Sequence, residues 1–553
     1  MISRLSRDDP LAKDPTTIAL YMFALFFISL FVLYPLAKGF VPTLSDGGVY
    51  YKKFLDERLY RDAVINTLLM VALSTPTATA LGFIYAYALA KWRVPFRKFF
   101  TYTILLQLIA PPFASGLAFL MLFGRNGIAS RLLNDLLGVE LNLYGAIGLW
   151  IVQTITFFPI AFLVLYGAIK ALDPTYDYVA RTLGAPPLRA FIDVDLRLLK
   201  PAILSALTLV AMYVLEDFGN PLLVGGDFYV LAVLAYMNVV GWGDYVGGAA
   251  TAYVLLILVL LFFVAQWKIL GRARYTTVTG RESYVEVREP PFWVKVPALA
   301  IMTASSLFIV TIYSSIILGA FTKTWGVDYT PTLDHFRQVS YAATFTLRNS
   351  LTVAIASAIF CALLGFLVAY MISFRRISLT NKYLEVVGTM PSAIPGTLLG
   401  IAYILAFAGP PLVLTGTIFI IIVNNVVRFL PLSLQSYKSV LTKIDQAIEE
   451  NSVVLGAGAV TTMTRVILPL ASVGFLSSFV YAFIKSMNTV SAVIFLETPR
   501  TKLLAPFILG LGTHGYWGQA AALSTLLIAT VVVFLVSLKL LMGRRVRVFE
   551  EFL

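Results

Sequence analysis

The residues best placed to do chemistry in this chain are charges and amides set inside apolar runs: Glu216 and Asp217, with Asn220 three residues on; Arg428, with Asn424 one turn earlier and Asn425 beside it; and Lys485, one turn before Asn488. A charge surrounded by hydrocarbon costs about 3 kcal/mol or more, so such groups face a partner, a cavity or the headgroups. What they offer is recognition of a charged solute, or simple internal pairing. Covalent catalysis has little to stand on. The two histidines, His335 and His514, are too few for a histidine metal centre, and Cys361 is the single cysteine, which excludes a disulfide framework or a cysteine metal site. No Gly-Lys dipeptide occurs, so a G-x-x-x-x-G-K-[ST] phosphate loop is absent. Gly510-Leu511-Gly512-Thr513-His514-Gly515 spells G-x-G-x-x-G, yet no strand precedes it and no dinucleotide site follows from it.

The elements that must position these residues follow from composition. Of 553 residues 59% are hydrophobic and 13% charged, with a mean hydropathy of +0.85, whereas soluble domains carry about 25% charged residues. Runs long enough to cross about 30 Å of hydrocarbon as helices fall near 18–38, 63–90, 99–123, 142–170, 199–222, 247–269, 294–321, 344–373, 383–408, 411–436, 467–494 and 519–541. The expected fold class is therefore an all-α integral membrane protein of about twelve transmembrane helices, in contact with lipid.

The net charge of +13 does not point to nucleic acid, because Lys and Arg are scattered between the runs rather than massed on one face. Alternate intervals and the two tails hold about 28 of them, against about 10 in the other loops, which sets the former on the cytoplasmic side. Both termini are then cytoplasmic in a multi-pass protein of a prokaryotic cell (inner) membrane. The first run, Ile18 to about Ala37, is too long for a cleaved signal segment and is read as an uncleaved span.

The chain repeats itself. Asn66-Thr67-Leu68 matches Asn349-Ser350-Leu351, and Pro112 matches Pro395, both at an offset of 283; Leu183-Gly184-Ala185 matches Leu455-Gly456-Ala457 at 272. The exterior loop 124–142 absorbs the difference, since its counterpart is only Ala408 to Pro411, and length variation in such a loop is cheap. Two parallel six-helix repeats follow, residues 1–280 and 281–553, related by a pseudo-two-fold axis along the membrane normal. Pro111, Pro112, Pro391 and Pro395 are expected to break or kink helices at matched places, freeing carbonyls that are tolerated only when buried or lining a cavity.

Each Leu-Gly-Ala sits in a loop, 174–200 and 442–469, that reads as a short helix, a glycine turn and a second helix entering the membrane. These loops resemble the EAA loop of binding-protein-dependent ABC importer permeases, whose pattern runs Glu-Ala-Ala, three residues, Gly, nine residues, Ile, one residue, Leu-Pro. The second loop offers Glu450-Asn451-Ser452, Gly456, Val466 and Leu468-Pro469; the first offers Tyr178-Val179-Ala180, Gly184, Val194 and Leu196-Arg197, without the leading Glu and the closing Pro. Further stretches, Ala110-Pro111-Pro112-Phe113, Phe123-Gly124-Arg125-Asn126-Gly127 and Glu216-Asp217-Phe218-Gly219-Asn220-Pro221, look like the fused, double-length permeases of the ferric-iron importer branch. Permeases for thiamine, aminoethylphosphonate, polyamine and sulfate are similar.

The resemblance implies a coupling helix in each loop, seated on a separate ATPase subunit through Tyr178, Ala180, Leu183, Gly184 and Ala185 in one copy and Glu449, Glu450, Leu455, Gly456 and Ala457 in the other. It implies two copies of that ATP-binding subunit, which holds ATP and Mg, an extracytoplasmic solute-binding protein, and neither cofactor nor catalysis in this chain. Glu216 and Asp217 lie about 24 to 26 Å along a helix counted from Lys200, so with Asn488 and Lys485 they are expected at the outer mouth where solute is released; Asn220, Asn424 and Arg428 complete the pathway candidates. An ion-coupled secondary transporter also has twelve spans in two halves, but the interval Lys91 to Lys98 contains no Asp and lacks the Gly-rich, Asp-Arg motif of the major facilitator type. A membrane enzyme finds no clustered acid, base or metal-ligand set.

Overall fold

The computed structural model describes residues 14–125, 127–138, 142–173, 175–272, 289–375 and 378–542. Asn126, Pro174, the proposed boundary at 280/281 and both tails lie outside the described residues. In chain order, α1 (Pro15–Ser45) starts where Asp14 accepts a hydrogen bond from the Thr16 backbone. It is followed by α2 (Arg58–Lys91), α3 (Arg97–Ile109), α4 (Pro112–Phe123), α5 (Ala146–Lys170), α6 (Thr175–Thr182), α7 (Leu188–Glu216), α8 (Gly219–Val224), α9 (Leu231–Gly241) and α10 (Tyr245–Arg272). The second series runs α11 (Phe292–Ala320), a two-stranded antiparallel hairpin of β1 (Thr322–Thr324) and β2 (Asp328–Pro331), α12 (Asp334–Phe374), α13 (Leu379–Ala393), α14 (Gly396–Phe407) and α15 (Ile418–Leu441). It closes with α16 (Gln446–Val454), α17 (Ala459–Leu470), α18 (Ser472–Asn488), α19 (Val493–Leu496), α20 (Leu504–Thr513) and α21 (Trp517–Met542).

Nine helices among the described residues are long and apolar enough to cross a membrane, and twelve spans result when each bent pair counts as one. The third, ninth and eleventh expected spans are those pairs. The third and ninth bend by 108° and 112°, at Ala110-Pro111 and Ile394-Pro395, where the expected proline breaks occur. The eleventh bends by 77° at Ala471, two residues after Pro469. The expected fifth span, 199–222, is instead a helix that starts at Leu188 and stops at Glu216.

Matched positions make matched contacts. Gly82 on α2 lets α5 approach so closely that a Cβ there would lie 2.8 Å from the Phe158 carbonyl, and Gly365 on α12 does the same against Ser433 on α15; small residues at such crossings let two backbones meet. Thr67 accepts the Leu231 backbone N–H at 2.9 Å, and Ser350 accepts that of Leu504 at 2.8 Å, so each tethers the start of a short helix, α9 or α20. Asn66 and Asn349 beside them donate to nearby carbonyls, of Tyr229 and of Arg500 and Lys502.

The first helix of each series packs on the other series. From α1, Tyr21 donates to the Met371 carbonyl of α12, and the Phe31 carbonyl accepts from Tyr403 of α14 at 2.6 Å. From α11, Tyr313 donates to Gln107 of α3 at 2.7 Å and the Met302 carbonyl accepts from Tyr85 of α2 at 2.8 Å. Buried tyrosines satisfy their hydroxyls on backbone carbonyls or polar side chains, which fixes the crossing without exposing a polar group to hydrocarbon. The core is thus continuous across the two series.

Candidate functional site

A cavity of about 150 Å³ opens where α3, α5 and α7 meet α15 and α18, lined by Pro112, Thr156, Phe157, Glu216, Arg428 and Lys485 among others. Thr156 and Arg428 lie near the midpoints of α5 and α15, so the cavity sits at mid-height. This corrects the expected place of Glu216 at the outer mouth. Helix α7 starts twelve residues before Lys200, and after Glu216 much of α8 and the first part of α9 are buried, with Asn220, Leu223, Val224 and Leu231 to Ala235 enclosed. Those segments fill the space above Glu216 that a simple count along the helix assigns to the exterior.

Proline chemistry builds one wall. Because Pro111 and Pro112 have no N–H to give, α3 ends below them, and the Ile109 carbonyl accepts instead from the Asn488 side-chain amide of the second series at 2.8 Å. Arg428 reaches the same region from α15. Its Nη1 donates to the Thr489 and Ser491 hydroxyls at 3.2 and 2.9 Å, and its Nη2 lies 3.9 Å from Glu216. Space for the guanidinium comes from Gly396, where a Cβ would meet Arg428 and Ser491. At the matched place in the first series Phe113 fills that volume against Gly219, where a Cβ would lie 2.6 Å from Phe113. Lys485 stands beside Tyr213 and Tyr481, its Nζ 5.7 and 5.9 Å from the ring centres.

Glu216 and Asp217, adjacent in sequence, do different work. Asp217 is buried and accepts from Gln153 at 3.0 Å and from Asn220 at 3.1 Å; Asn220 in turn accepts the Gly116 backbone N–H, and Gln153 accepts from Ser74. Asn220 therefore lies behind the cavity wall, locking α7, α8 and α4 together. Asn424 is not part of the lining: with Asn425 it is fully enclosed in α15, and neither amide has a hydrogen-bond partner among the described residues. Asn425 and Thr489 occupy the places of Gln153 and Asp217, so the polar chain of the first series has no bonded copy in the second.

The two Leu-Gly-Ala loops lie at the same end of the bundle, each built as a knob. Asp173 and Asp445 start them identically, accepting the backbone N–H two residues on at 2.9 and 3.0 Å. Hydrogen bonds from the Thr175 hydroxyl and backbone hold the Asp173 carboxyl below the usual carboxylate range. Gly184 and Gly456 end the helices at φ of 82° and 85°, and a Cβ at either would meet nothing within 4 Å; the left-handed turn alone requires glycine. The turn closes when Ala185 donates to the Ala180 carbonyl at 3.0 Å and Ala457 to that of Ser452 at 3.1 Å. Leu183 and Leu455 are left 82% and 87% exposed at the tips, and Tyr178 and Glu450 are also exposed.

Glu449 points the other way. It is 6% exposed and paired with Arg375 at the end of α12, Nη2 to Oε1 at 2.6 Å and Nη1 to Oε2 at 3.3 Å, and Tyr370 donates to it as well. In the first loop the corresponding tie runs to Asp195 on α7, which accepts from Tyr87 at 2.5 Å and Lys91 at 2.7 Å. Sequence reasoning missed Arg375, Tyr370, Asp195, Lys91, Gln153, Thr489 and Ser491. The offset of 283 that aligns Tyr87 with Tyr370 was the available signal for the ties. Among the described residues no group of three or more His, Cys, Asp or Glu could hold a metal ion; the arrangement can seat a charged solute and present two apolar knobs.

A multi-pass helical bundle with a buried charged cavity and two exposed loop knobs defines a membrane permease. The chain belongs to the inner-membrane components of binding-protein-dependent transport systems: the family model for that component matches residues 78–270, and full-length relatives extend the match. It is 31% identical, over 93% of this chain and 77% of the relative, to the ferric transport system permease protein FbpB of Actinobacillus pleuropneumoniae. It is 23% identical, over 80% of this chain and 82% of the relative, to the Fe(3+)-transport system permease protein FbpB 2 of Haemophilus influenzae. A Salmonella choleraesuis permease assigned to 2-aminoethylphosphonate transport is 28% identical over 96% of its own length but only 45% of this chain, so a relative of about half this length aligns with one part of it.

Proposed function

We propose that this chain is the fused, double-length permease of an ATP-driven importer that moves ferric iron from a solute-binding protein into the cytoplasm. Residues 1–280 and 281–553 are its two halves, related by a pseudo-two-fold axis along the membrane normal, with both termini cytoplasmic. Support for the pairing of halves comes from the reciprocal packing of α1 and α11 and from the matched tethers at Thr67 and Ser350. Ferric iron as cargo is supported by the ferric transport systems to which the relatives matching most of the chain belong.

The observation that carries the mechanism is the pair of knobs with exposed Leu183 and Leu455 at one end of the bundle. Each seats on one copy of a cytoplasmic ATP-binding subunit, where ATP and Mg reside. Helix α7 then runs 29 residues, about 43 Å at 1.5 Å per residue, from the first knob to Glu216 in the cavity. Displacement of the knob by the ATPase moves the cavity wall as one rod. Co-purification of the ATP-binding subunit on a tagged chain, and radioiron uptake that requires both, test the reading. Retention of the ATPase after Leu183→Asp combined with Leu455→Asp would contradict it.

A further inference from the structure

We propose that the cavity between the halves seats solute by its anionic part: iron crosses this chain as a complex of net negative charge, held through a coordinating oxyanion of phosphate or carboxylate type, with Arg428 and Lys485 as the cationic seat. The proposal rests on the ferric reading above.

Four ionisable groups line the cavity, two acidic and two basic. Asp217 is already occupied by N–H donors from Gln153 and Asn220. Glu216 stands 3.9 Å from Arg428, a long pairing that leaves the guanidinium to donate to Thr489 and Ser491 instead. No described carboxylate lies within salt-bridge distance of Lys485; aromatic rings flank its ammonium, whose three N–H donors have no oxygen acceptor among the described residues. A partly enclosed ammonium with unfilled donors is costly unless an acceptor arrives, and the acceptor it fits best is an anionic oxygen.

Bare trivalent iron fits poorly. A hard cation of that charge takes several oxygen ligands, carboxylates foremost, and the described residues offer no cluster of three or more Asp, Glu, His or Cys. Two fixed cations in one cavity repel it, the more strongly because the surroundings are apolar. An iron complex whose own oxyanions face Lys485 and Arg428 turns that repulsion into attraction, and about 150 Å³ leaves room for several waters or a small polyatomic anion.

The test is double-label uptake in cells carrying the complete transport system, with radioiron supplied as ferric phosphate with labelled phosphate or as ferric citrate with labelled citrate. Iron and one of the two anions should enter together in fixed ratio. Lys485→Gln and Arg428→Gln should each lower entry of both labels about tenfold or more at equal membrane abundance, with Lys485→Arg close to the parent. Entry of iron without either anion label overturns the proposal, as does unchanged uptake by Lys485→Gln. Entry of labelled anion without iron would instead remove the ferric reading and leave the oxyanion seat standing. The label ratio in the parent chain is read without any variant, so a poorly folding substitution does not decide the outcome.

Discussion

In the loop that carries Gly184, the helix leaving the turn runs unbroken to Glu216, whereas in the loop that carries Gly456 the same path bends by 77° at Ala471 before it reaches Asn488. The ties differ in the same sense. In the first series a tie is made beyond the knob helix, by Asp195 to Tyr87 and Lys91; in the second the knob helix itself carries one, by Glu449 to Arg375 and Tyr370. A straight rod carries motion from its end without further support. A bent arm does so only if the knob is fixed to another long helix, here α12. The lesson of the comparison is that two loops with one turn geometry reach the cavity by different mechanical routes.

Removing the pin of the second loop should have the largest effect. Arg375→Ala strands the buried Glu449 carboxylate and should destabilise the protein by about 3–5 kcal/mol, read as a lowered midpoint of thermal unfolding in detergent. Lys91→Ala in the first loop should cost less, about 1–3 kcal/mol, because Lys91 gives Asp195 one hydrogen bond where Arg375 gives Glu449 two. Equal losses would erase the proposed difference.

Next come the turns. Gly184→Ala and Gly456→Ala should each cost about 1–2 kcal/mol, since both force an L side chain into the left-handed region. Similar unfolding midpoints with a greater loss of iron uptake for Gly456→Ala would sharpen the comparison; equal losses of uptake would show that the two loops do not differ in coupling. The smallest effects belong to the first residues of the knobs. Asp445→Ala should cost about 1 kcal/mol. Asp173, held below the usual carboxylate range in the folded protein, stabilises its turn above the unfolded carboxylate value, near pH 4, and loses that contribution as pH falls through the lower folded value. The protection of the Thr175 amide, its exchange rate relative to the intrinsic rate at the same pH, should fall only in acid; a loss of protection at roughly neutral pH would contradict this assignment.

Much of this was legible in the sequence because its causes are local. A glycine that must turn left-handed, an aspartate two residues before a bare N–H, and prolines that cannot donate at 111, 112 and 395 all act within one turn of themselves, so the knobs and two of the three breaks could be read directly. The third break was harder, since Pro469 ends a short segment two residues before the bend at Ala471. What joins distant segments could not be read. Arg375 entered the sequence only as one of the basic residues that orient the chain, yet it is 3% exposed and bonded to a residue 74 positions away. Glu216 was placed too far out because its height depends on what covers it, namely α8 and α9. The exchange of α1 and α11 between the two series likewise leaves no local mark, because apolar faces do not name their partners.

The account turns on both tips touching an ATP-binding subunit. With Cys361→Ala removing the only native thiol, Leu183→Cys and Leu455→Cys would each be tested for cross-linking to that subunit in membranes. The account predicts a covalent adduct from either position, stronger on nucleotide binding. Cross-linking from neither position, with the ATPase still retained and iron still imported, would contradict it.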